Sequence, residues 1–280
     1  MNKKCMILIV ISLLSIKANP QAKKAFNING IEFNMILVEG GKYNMGGTSE
    51  EQDEAFENSK PSHEVTLHSY FIGETEVTQG LFKAIMPEDY AKYTKERDAM
   101  NSIDSIGIVV QDQFGDNYPM YFYSWGKYKQ FIDKLNALSG MHFRFPTEAE
   151  WEFAARGGNK SIGYIYSGSN NIDEIAWYKN NSGRLVHEVA TKKSNELGLY
   201  DMSGNVFELC NDWYDENYYK ESPINNPQGP ISGEEKVARG GSYMHNDEVC
   251  RNSFLRLHIS DTPNTTFMYI GMRLALDAEQ

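Results

Sequence analysis

The sequence predicts an α+β fold: a single irregular, loop-rich domain with two or three short helices and small antiparallel sheets. Two observations favour this fold class. Amphipathic helical spacing is clear in only two segments of the 280-residue chain, and short apolar runs bounded by glycine, which are typical of strands, lie elsewhere. Stretches rich in asparagine, serine and glycine connect these elements and predict turns.

Strands are predicted in two stretches near the start. The stretch "IEFNMILVEGGKYNMGG" (31–47) has two apolar runs separated by Gly40 and Gly41, and we expect the runs to pair as a hairpin. The stretch "EVTLHSYFIGETEVT" (64–78) alternates between apolar and polar residues as a strand does. The acidic stretch between them (48–63) has almost no large apolar residues and is predicted to be a surface loop.

A short helix is expected directly after these strands. Thr78 is a suitable N-cap, and Pro87 is expected to end the helix after Met86. Residues 88–119 show no clear apolar period, so we expect an irregular connection or an insertion there.

The two clear helices lie in the middle of the chain. Ser124 is expected to cap "WGKYKQFIDKLNALSG" (125–140), in which apolar residues recur at helical spacing and Gly140 ends the helix. Thr147 and Glu150 have the spacing of a capping box and predict the start of the second helix, "AEWEFAAR". The apolar stripe of the first helix is expected to face the core.

Composition and charge limit the classes of partner. With 41% hydrophobic residues, a chain of this length buries a substantial core. The formal net charge of −11 and the lack of a basic stripe argue against nucleic acid, because phosphate-binding faces need clustered lysine and arginine. Acidic oxygens instead suit hard cations such as calcium.

The N-terminus predicts an export signal. Two lysines precede an apolar run (5–16) of about a dozen residues, whereas a membrane-spanning helix needs roughly twenty. Small residues ending at Ala18 suit cleavage by a signal peptidase. We therefore expect a signal peptide (1–18), a flexible segment (19–29) and one domain (30–280). The mature protein is expected to be periplasmic or secreted, with no membrane span.

Four ordered blocks carry a resemblance to a known family. They read "FRFPTEAEWEFAARGG" (143–158), "LGLYDMSGNVFELCNDWY" (197–214), "RGGSYM" (239–244) and "IGMRLA" (270–275). On these blocks, and on "MILVEGGKYNMGG" and "FIGETEVTQGLF" nearer the start, the chain resembles the formylglycine-generating enzyme (sulfatase-modifying factor) family. The resemblance extends from about residue 31 to residue 275 and implies a single α+β domain related to C-type lectins.

The resemblance implies a candidate copper site. The type enzyme of the family uses copper and dioxygen to oxidise a cysteine of an exported sulfatase to formylglycine. It binds copper(I) through two cysteines that follow "GGSYM", since thiolates suit this soft ion. Here His245 stands at the first of these positions and Cys250 at the second, and Ser242 is retained as a nearby polar group. Tyr269 stands where the type enzyme has an asparagine thought to touch the substrate peptide.

Three arrangements of Cys250 are open from the sequence. In the first, His245 and Cys250 form a nitrogen–sulfur pair that holds copper, because imidazole is a competent copper ligand. In the second, Cys250 forms a disulfide with Cys210, because only these two cysteines remain after signal cleavage and an exported protein meets an oxidising compartment. In the third, both cysteines are free and buried.

The resemblance also implies a calcium site in "DMSGNVFE" (201–208). Its ligands would be the carboxylates of Asp201 and Glu208 and the backbone carbonyls of Gly204 and Val206. Such a mixture of hard oxygens from one tight loop suits calcium. The alternative is a glycine turn in which Glu208 forms an ion pair with Arg239 or Arg273.

Two functions of different class are therefore predicted. The first is copper-dependent oxidation of a cysteine in a partner protein, such as a sulfatase. The alternative is a non-catalytic, calcium-stabilised module that binds a peptide, a glycan or a protein partner.

Overall fold

The computed structural model of the protein describes residues 22–47, 57–101, 113–253, 256–260 and 268–279. The predicted signal peptide and most of the predicted acidic loop lie outside this part of the chain. The strands are β1 (Lys23–Ile28), β2 (Ile31–Val38), β3 (Lys42–Met45), β4 (His63–Thr66), β5 (Tyr70–Gly73), β6 (Phe207–Trp213), β7 (Glu235–Arg239), β8 (Leu257–Ser260), β9 (Ile270–Met272) and β10 (Ala275–Asp277). The helices are α1 (Gln79–Ile85), α2 (Pro87–Asn101), α3 (Trp125–Ser139), α4 (Glu148–Ala155), α5 (Ile172–Ile175) and α6 (Tyr218–Glu221).

The α+β class predicted from the sequence is confirmed. One antiparallel sheet has the strand order β1–β2–β5–β10, β3 pairs with β4, and a third sheet has the order β8–β7–β6–β9. The largest apolar cluster joins α1 and α3 to the first and third sheets, and a second one surrounds Trp151 of α4. Among the described residues, no helix is long and apolar enough to span a membrane.

The first sheet begins earlier than the sequence patterning indicates. A flexible segment is predicted at 19–29, but Lys23–Ile28 forms β1 and pairs with β2 along its whole length. Asn29 and Gly30 connect the two strands with φ values of 52° and 88°, the left-handed pair that a two-residue hairpin turn requires. The flexible-segment prediction is therefore wrong for β1, since this turn returns the chain onto β2.

The predicted hairpin at 31–47 has the right strands but the wrong pairing. β2 pairs with β1 and β5, whereas β3 leaves the sheet and pairs with β4. The chain changes sheets at Gly40, where a Cβ atom would lie 2.5 Å from the carbonyl oxygen of Leu67. This close approach, which only glycine permits, carries the chain across Leu67 instead of turning it back onto β2.

The stretch predicted as one strand at 64–78 forms two. β4 and β5 belong to different sheets, and the following helix α1 starts at the predicted cap, where Thr78 Oγ1 accepts the Leu81 N–H at 3.2 Å. Pro87 does end α1, but it also starts α2, because the first turn of a helix has no need of the proline N–H.

Helix α2 contradicts the irregular connection predicted for 88–119. Among the α2 side chains whose burial is described, Tyr93 and Arg97 are the buried ones. An arginine at a core position gives no apolar signal, so the helical period is hidden in the sequence. The Arg97 guanidinium lies 4.2 Å from the centre of the Phe122 ring. Residues 102–112 lie outside the described part of the chain.

Both central helices are confirmed at their predicted caps. Ser124 caps α3, and Gly140 ends it in the left-handed conformation at a φ of 70°. At the start of α4, the Thr147 side chain accepts the Glu150 N–H and the Glu150 side chain accepts the Thr147 N–H.

The three glutamates of α4 are held by four arginines. Glu150 pairs with Arg144, Glu148 with Arg256 and Arg239, and Glu152 with Arg239 and Arg156. Glu148, Glu152, Arg239 and Arg256 are at most 1% exposed. Buried charges of this kind are retained only when they are paired, so these carboxylates hold α4 in place and are not free for acid–base chemistry.

Beside this network lies a buried carboxyl group that forms no ion pair among the described residues. Asp212 is 2% exposed and accepts the Glu148 N–H at 2.8 Å. Burial, and secondly the negative charge of Glu148, raise the pKa of Asp212 to about 8.

We expect Asp212→Asn to remove part of the pH dependence of stability. Because folding raises the pKa of Asp212, the group stabilises the folded state fully at pH values below its unfolded pKa. That contribution is lost as the pH rises through about 8. In denaturant unfolding, the free energy of unfolding of the wild type should fall by on the order of 4 kcal/mol between about pH 5 and about pH 9, and that of Asp212→Asn should fall less. The exposed Glu216→Gln is the matched control, and equal pH slopes for wild type and Asp212→Asn would contradict the assignment.

Candidate functional site

The residues implied as the copper site lie on the loop that follows β7. Gly240 and Gly241 carry the chain out of the strand with φ values of 101° and 76°, and a 3-10 turn (Asp247–Cys250) ends the loop. A Cβ atom on Gly241 would lie 2.6 Å from Cys250 Sγ. The backbone of Gly241 therefore lies directly against the sulfur, and only glycine allows this packing.

Cys250 is fully buried. Its Sγ lies 3.6 Å from the Asn246 carbonyl oxygen, and the side chain packs in a small apolar cluster with Tyr166 and Ile175. Burial, and secondly the negative charge of Asp247, raise the pKa of the thiol to about 12. The sulfur is thus a protonated thiol that solvent does not reach.

Cys210 is also free and fully buried, but it lies in the separate apolar cluster around Trp151. The disulfide between Cys210 and Cys250 is not formed. Of the three arrangements open from the sequence, the structure has the third. The sequence does not show that the cysteines are apart, because only tertiary packing places them in separate apolar clusters.

His245 is hydrogen-bonded to the retained serine. Ser242 is 0% exposed, and its Oγ lies 2.6 Å from His245 Nδ1. The same Oγ accepts the Met244 N–H at 3.2 Å. Ser242 thereby fixes the orientation of the imidazole ring by its Nδ1 edge.

Two aromatic rings hold the imidazole of His245 from the sides. The ring centre lies 5.1 Å from that of Phe207 and 4.9 Å from that of Tyr269, both in edge-to-face geometry. Burial, and secondly the positive charge of Lys179, lower the pKa of His245. The ring is therefore neutral at pH 7.

The donors at this loop do not fit copper(I). A ligand cysteine must be a thiolate, but Cys250 is protonated and enclosed below Gly241. At the other position the Nδ1 edge of His245 is occupied by Ser242. Across the described ranges, no group of three or more His, Cys, Asp and Glu side chains is placed to hold a metal ion.

Half-buried apolar side chains extend the surface beside His245. Tyr118, Phe122, Met244 and Tyr269 lie over a small cluster of buried residues and form what we call the aromatic face. Phe122 has a φ of 77°, a conformation that is strained for a bulky side chain. Backbone strain of this kind concentrates at functional sites, since elsewhere it only costs stability.

The implied calcium loop holds the backbone that carries part of the aromatic face. Asp201 and Asn205 have φ values of 59° and 53°, the left-handed conformation that these two residue types tolerate best after glycine. The Asn205 carbonyl accepts the Tyr243 N–H at 2.8 Å, and its side chain bonds both backbone groups of His187. The loop thus fixes the start of the chain that carries Met244 and His245.

Glu208, the last residue of the implied calcium set, is fully occupied by protein donors. The two nitrogens Nε and Nη2 of Arg273 bind its two oxygens, and the Trp151 indole N–H donates to Oε2 at 2.7 Å. Both partners of the ion pair are buried. The alternative of a glycine turn with Glu208 paired to Arg273 is therefore the observed geometry.

Asp201 differs, because one of its oxygens is unsatisfied. Oδ2 accepts the Ala190 N–H at 2.7 Å, whereas Oδ1 is buried and has no hydrogen-bond partner among the described residues. Burial is the main cause that raises the pKa of Asp201 to about 6, and Glu208 adds to it. An orphaned buried carboxylate oxygen fits a hard cation, whereas the occupied Glu208 does not. Calcium at this loop stays a prediction.

Sequence reasoning missed two members of this cluster. Glu76 is 1% exposed and accepts the Val206 N–H and the Asn205 side-chain amide, at 3.1 Å and 2.9 Å. Burial, with Asp201 and Glu208 nearby, raises its pKa well above the usual range. Lys179, which lies against His245 through a backbone hydrogen bond of 3.0 Å, was also missed. A single charged residue in a polar segment gives no signal that distinguishes a buried position from an exposed one.

Comparisons with known proteins agree with this fold. The family model of the sulfatase-modifying factor enzyme 1-like domain matches residues 23–278. A formylglycine-generating enzyme of Streptomyces coelicolor is 28% identical over 87% of this chain and 89% of its own length. The chaperone protein LppX of Paenibacillus barcinonensis is 30% identical over 79% of this chain and 82% of its own.

A solved structure has the same fold. Treponema denticola variable protein 1 aligns with a TM-score of 0.74 and 28% identity, over 91% of this chain and 99% of that one. The resemblance that the four sequence blocks carry is thus confirmed. The chain belongs to the family of the sulfatase-modifying factor enzyme 1-like domain, and formylglycine-generating enzymes are among its relatives.

Proposed function

We propose that this protein is a non-catalytic binding module that holds a polypeptide partner on the aromatic face beside His245. The observation that carries the proposal is the enclosure of Cys250 below Gly241. The resemblance implies a catalytic site of two accessible thiolates, and this chain offers one buried, protonated thiol. At the other implied copper position, His245 is hydrogen-bonded to Ser242 through Nδ1.

The composition of the face supports a protein ligand. Tyrosine, phenylalanine and methionine are enriched at the centres of protein interfaces. The aromatic face offers these residue types together, on a backbone that the buried Glu76–Asn205 contacts hold rigid. Of the relatives, LppX is named as a chaperone, which also favours a polypeptide as partner.

Copper(I) should not bind at Cys250. In the folded protein we expect neither cysteine to react with an alkylating reagent, and both to react after denaturation without any reductant, because both are buried free thiols. Competition titration with a copper(I) chelator should give the same result for wild type and Cys250→Ser. One equivalent of copper(I) that is retained by wild type and lost in Cys250→Ser would contradict the proposal.

Calcium is proposed as a stabilising ion at Asp201, on the strength of its unpartnered Oδ1. Added calcium should raise the Tm of the wild type relative to protein in a chelator, because an ion that binds only the folded state stabilises it by mass action. Asp201→Asn should remove this dependence on calcium, and the exposed Glu216→Gln should retain it. A wild-type Tm that is equal in calcium and in chelator would refute the site.

The proposed ligand class is tested by selection from a random peptide library displayed on phage. Peptides with apolar residues should be enriched on the wild type, and they should lose about tenfold in affinity for Tyr269→Ala, since an interface anchor contributes on the order of 1–2 kcal/mol. Ile231→Ser is the control, because this fully exposed apolar side chain lies outside the aromatic face.

Equal binding to wild type and to Tyr269→Ala, with both proteins folded by circular dichroism, would place the peptide elsewhere. Enrichment of no peptide, together with specific binding on a glycan array, would replace the polypeptide with a glycan.

A further inference from the structure

The hydrogen bonds around Ser242 determine which nitrogen of His245 carries the proton. Ser242 Oγ accepts the Met244 N–H, and its own proton needs an acceptor. Among the described residues that acceptor is His245 Nδ1 at 2.6 Å. A nitrogen that accepts a hydrogen bond in a neutral imidazole bears no proton, so the proton is on Nε2.

His245 is half-buried, and its protonated nitrogen lacks a partner among the described residues. No protein acceptor for Nε2 lies within the described ranges, and Nε2 is absent from the buried polar atoms that lack a partner. Phe207 and Tyr269 contact the ring from the sides, so the direction in which the Nε2–H bond points is also fixed. A rigid donor that no described protein group satisfies is available to a ligand at little cost in conformational entropy.

The surroundings of this donor carry positive charge and apolar surface. Lys179 is exposed, and its ammonium lies on the loop beside His245, 3.1 Å from Asn246 Oδ1. Of the two acidic side chains that follow Asn246 on this loop, Asp247 accepts the Tyr166 hydroxyl at 3.4 Å, and Glu248 is exposed. Tyr269 and Met244 continue the surface as part of the aromatic face.

We propose that His245 is a hydrogen-bond donor to a carboxylate of the bound polypeptide, oriented by Ser242, with Lys179 providing charge and the aromatic face receiving a neighbouring apolar side chain. The proposal rests on the binding function above and specifies the chemistry of its ligand. The resemblance implies a metal-binding cysteine at position 245. In this tautomer His245 instead presents a hydrogen-bond donor there, since a nitrogen that bears a proton has no lone pair for a metal.

The tautomer is tested without any ligand. Long-range ¹H–¹⁵N spectra of the folded protein labelled in its histidines should show His245 protonated at Nε2 and bare at Nδ1, with the signal assigned by its loss in His245→Gln. In Ser242→Ala the signal should change towards a mixture of tautomers. A wild-type His245 that is protonated at Nδ1 would overturn the proposal, and it would leave the proposed binding function untouched.

The ligand class is tested with three small probes that share one apolar side chain. N-acetylphenylalanine has a terminal carboxylate. N-acetylphenylalanyl-aspartic acid amidated only at its α-carboxyl has a free side-chain carboxylate, and N-acetylphenylalaninamide has none. Chemical-shift titration of the wild type should give tighter binding of a carboxylate probe than of the amide. Whichever carboxylate binds more tightly identifies the source as a chain terminus or as an acidic side chain.

Matched variants separate the donor from the packing of the ring. His245→Ala should weaken carboxylate binding about tenfold, and His245→Gln should retain most of it, because the glutamine amide places an N–H near the position of Nε2. Equal binding of the amide and carboxylate probes, or equal losses in His245→Ala and His245→Gln, would overturn the assignment.

Discussion

The buried ion pair between Glu208 and Arg273 is the interaction on which the rest of the structure depends. Glu208 lies on β6 and Arg273 directly follows β9, and these two strands are the parallel pair of the third sheet. Arg273 also donates to the carbonyls of Gly73 and Tyr200, and Trp151 of α4 donates to Glu208. Breaking such a pair leaves an uncompensated buried charge, which costs about 3–5 kcal/mol.

This constraint positions the candidate site. With β6 held against β9, Phe207 and Tyr269 lie next to each other at the end of the pair, where Phe207 N–H donates to the Tyr269 carbonyl. The loop after β7 then brings His245 against both rings. Chemistry at this position depends on local residues and not on the scaffold, because a fold positions a site without determining its function.

Helix caps, strand composition and the family resemblance were predictable because each depends on residues close in sequence. Thr78, Ser124 and Thr147 all cap the helices that their spacing predicts. Strand pairing was not predictable at 31–47, since the exchange of sheets at Gly40 depends on contact with Leu67, far along the chain. Helix α2 was missed because its buried residues include an arginine.

By itself, the sequence determined the family, the α+β class and the identity of the side chains at the candidate site. It left open the states of Cys250 and Glu208, because each depends on groups distant in sequence. Tertiary structure decided these: Gly241 and an apolar cluster keep Cys250 protonated and apart from Cys210, and Arg273 occupies Glu208. The physical reason is that burial and charge pairing, which set the protonation and accessibility of a group, arise only once the strands and loops have packed.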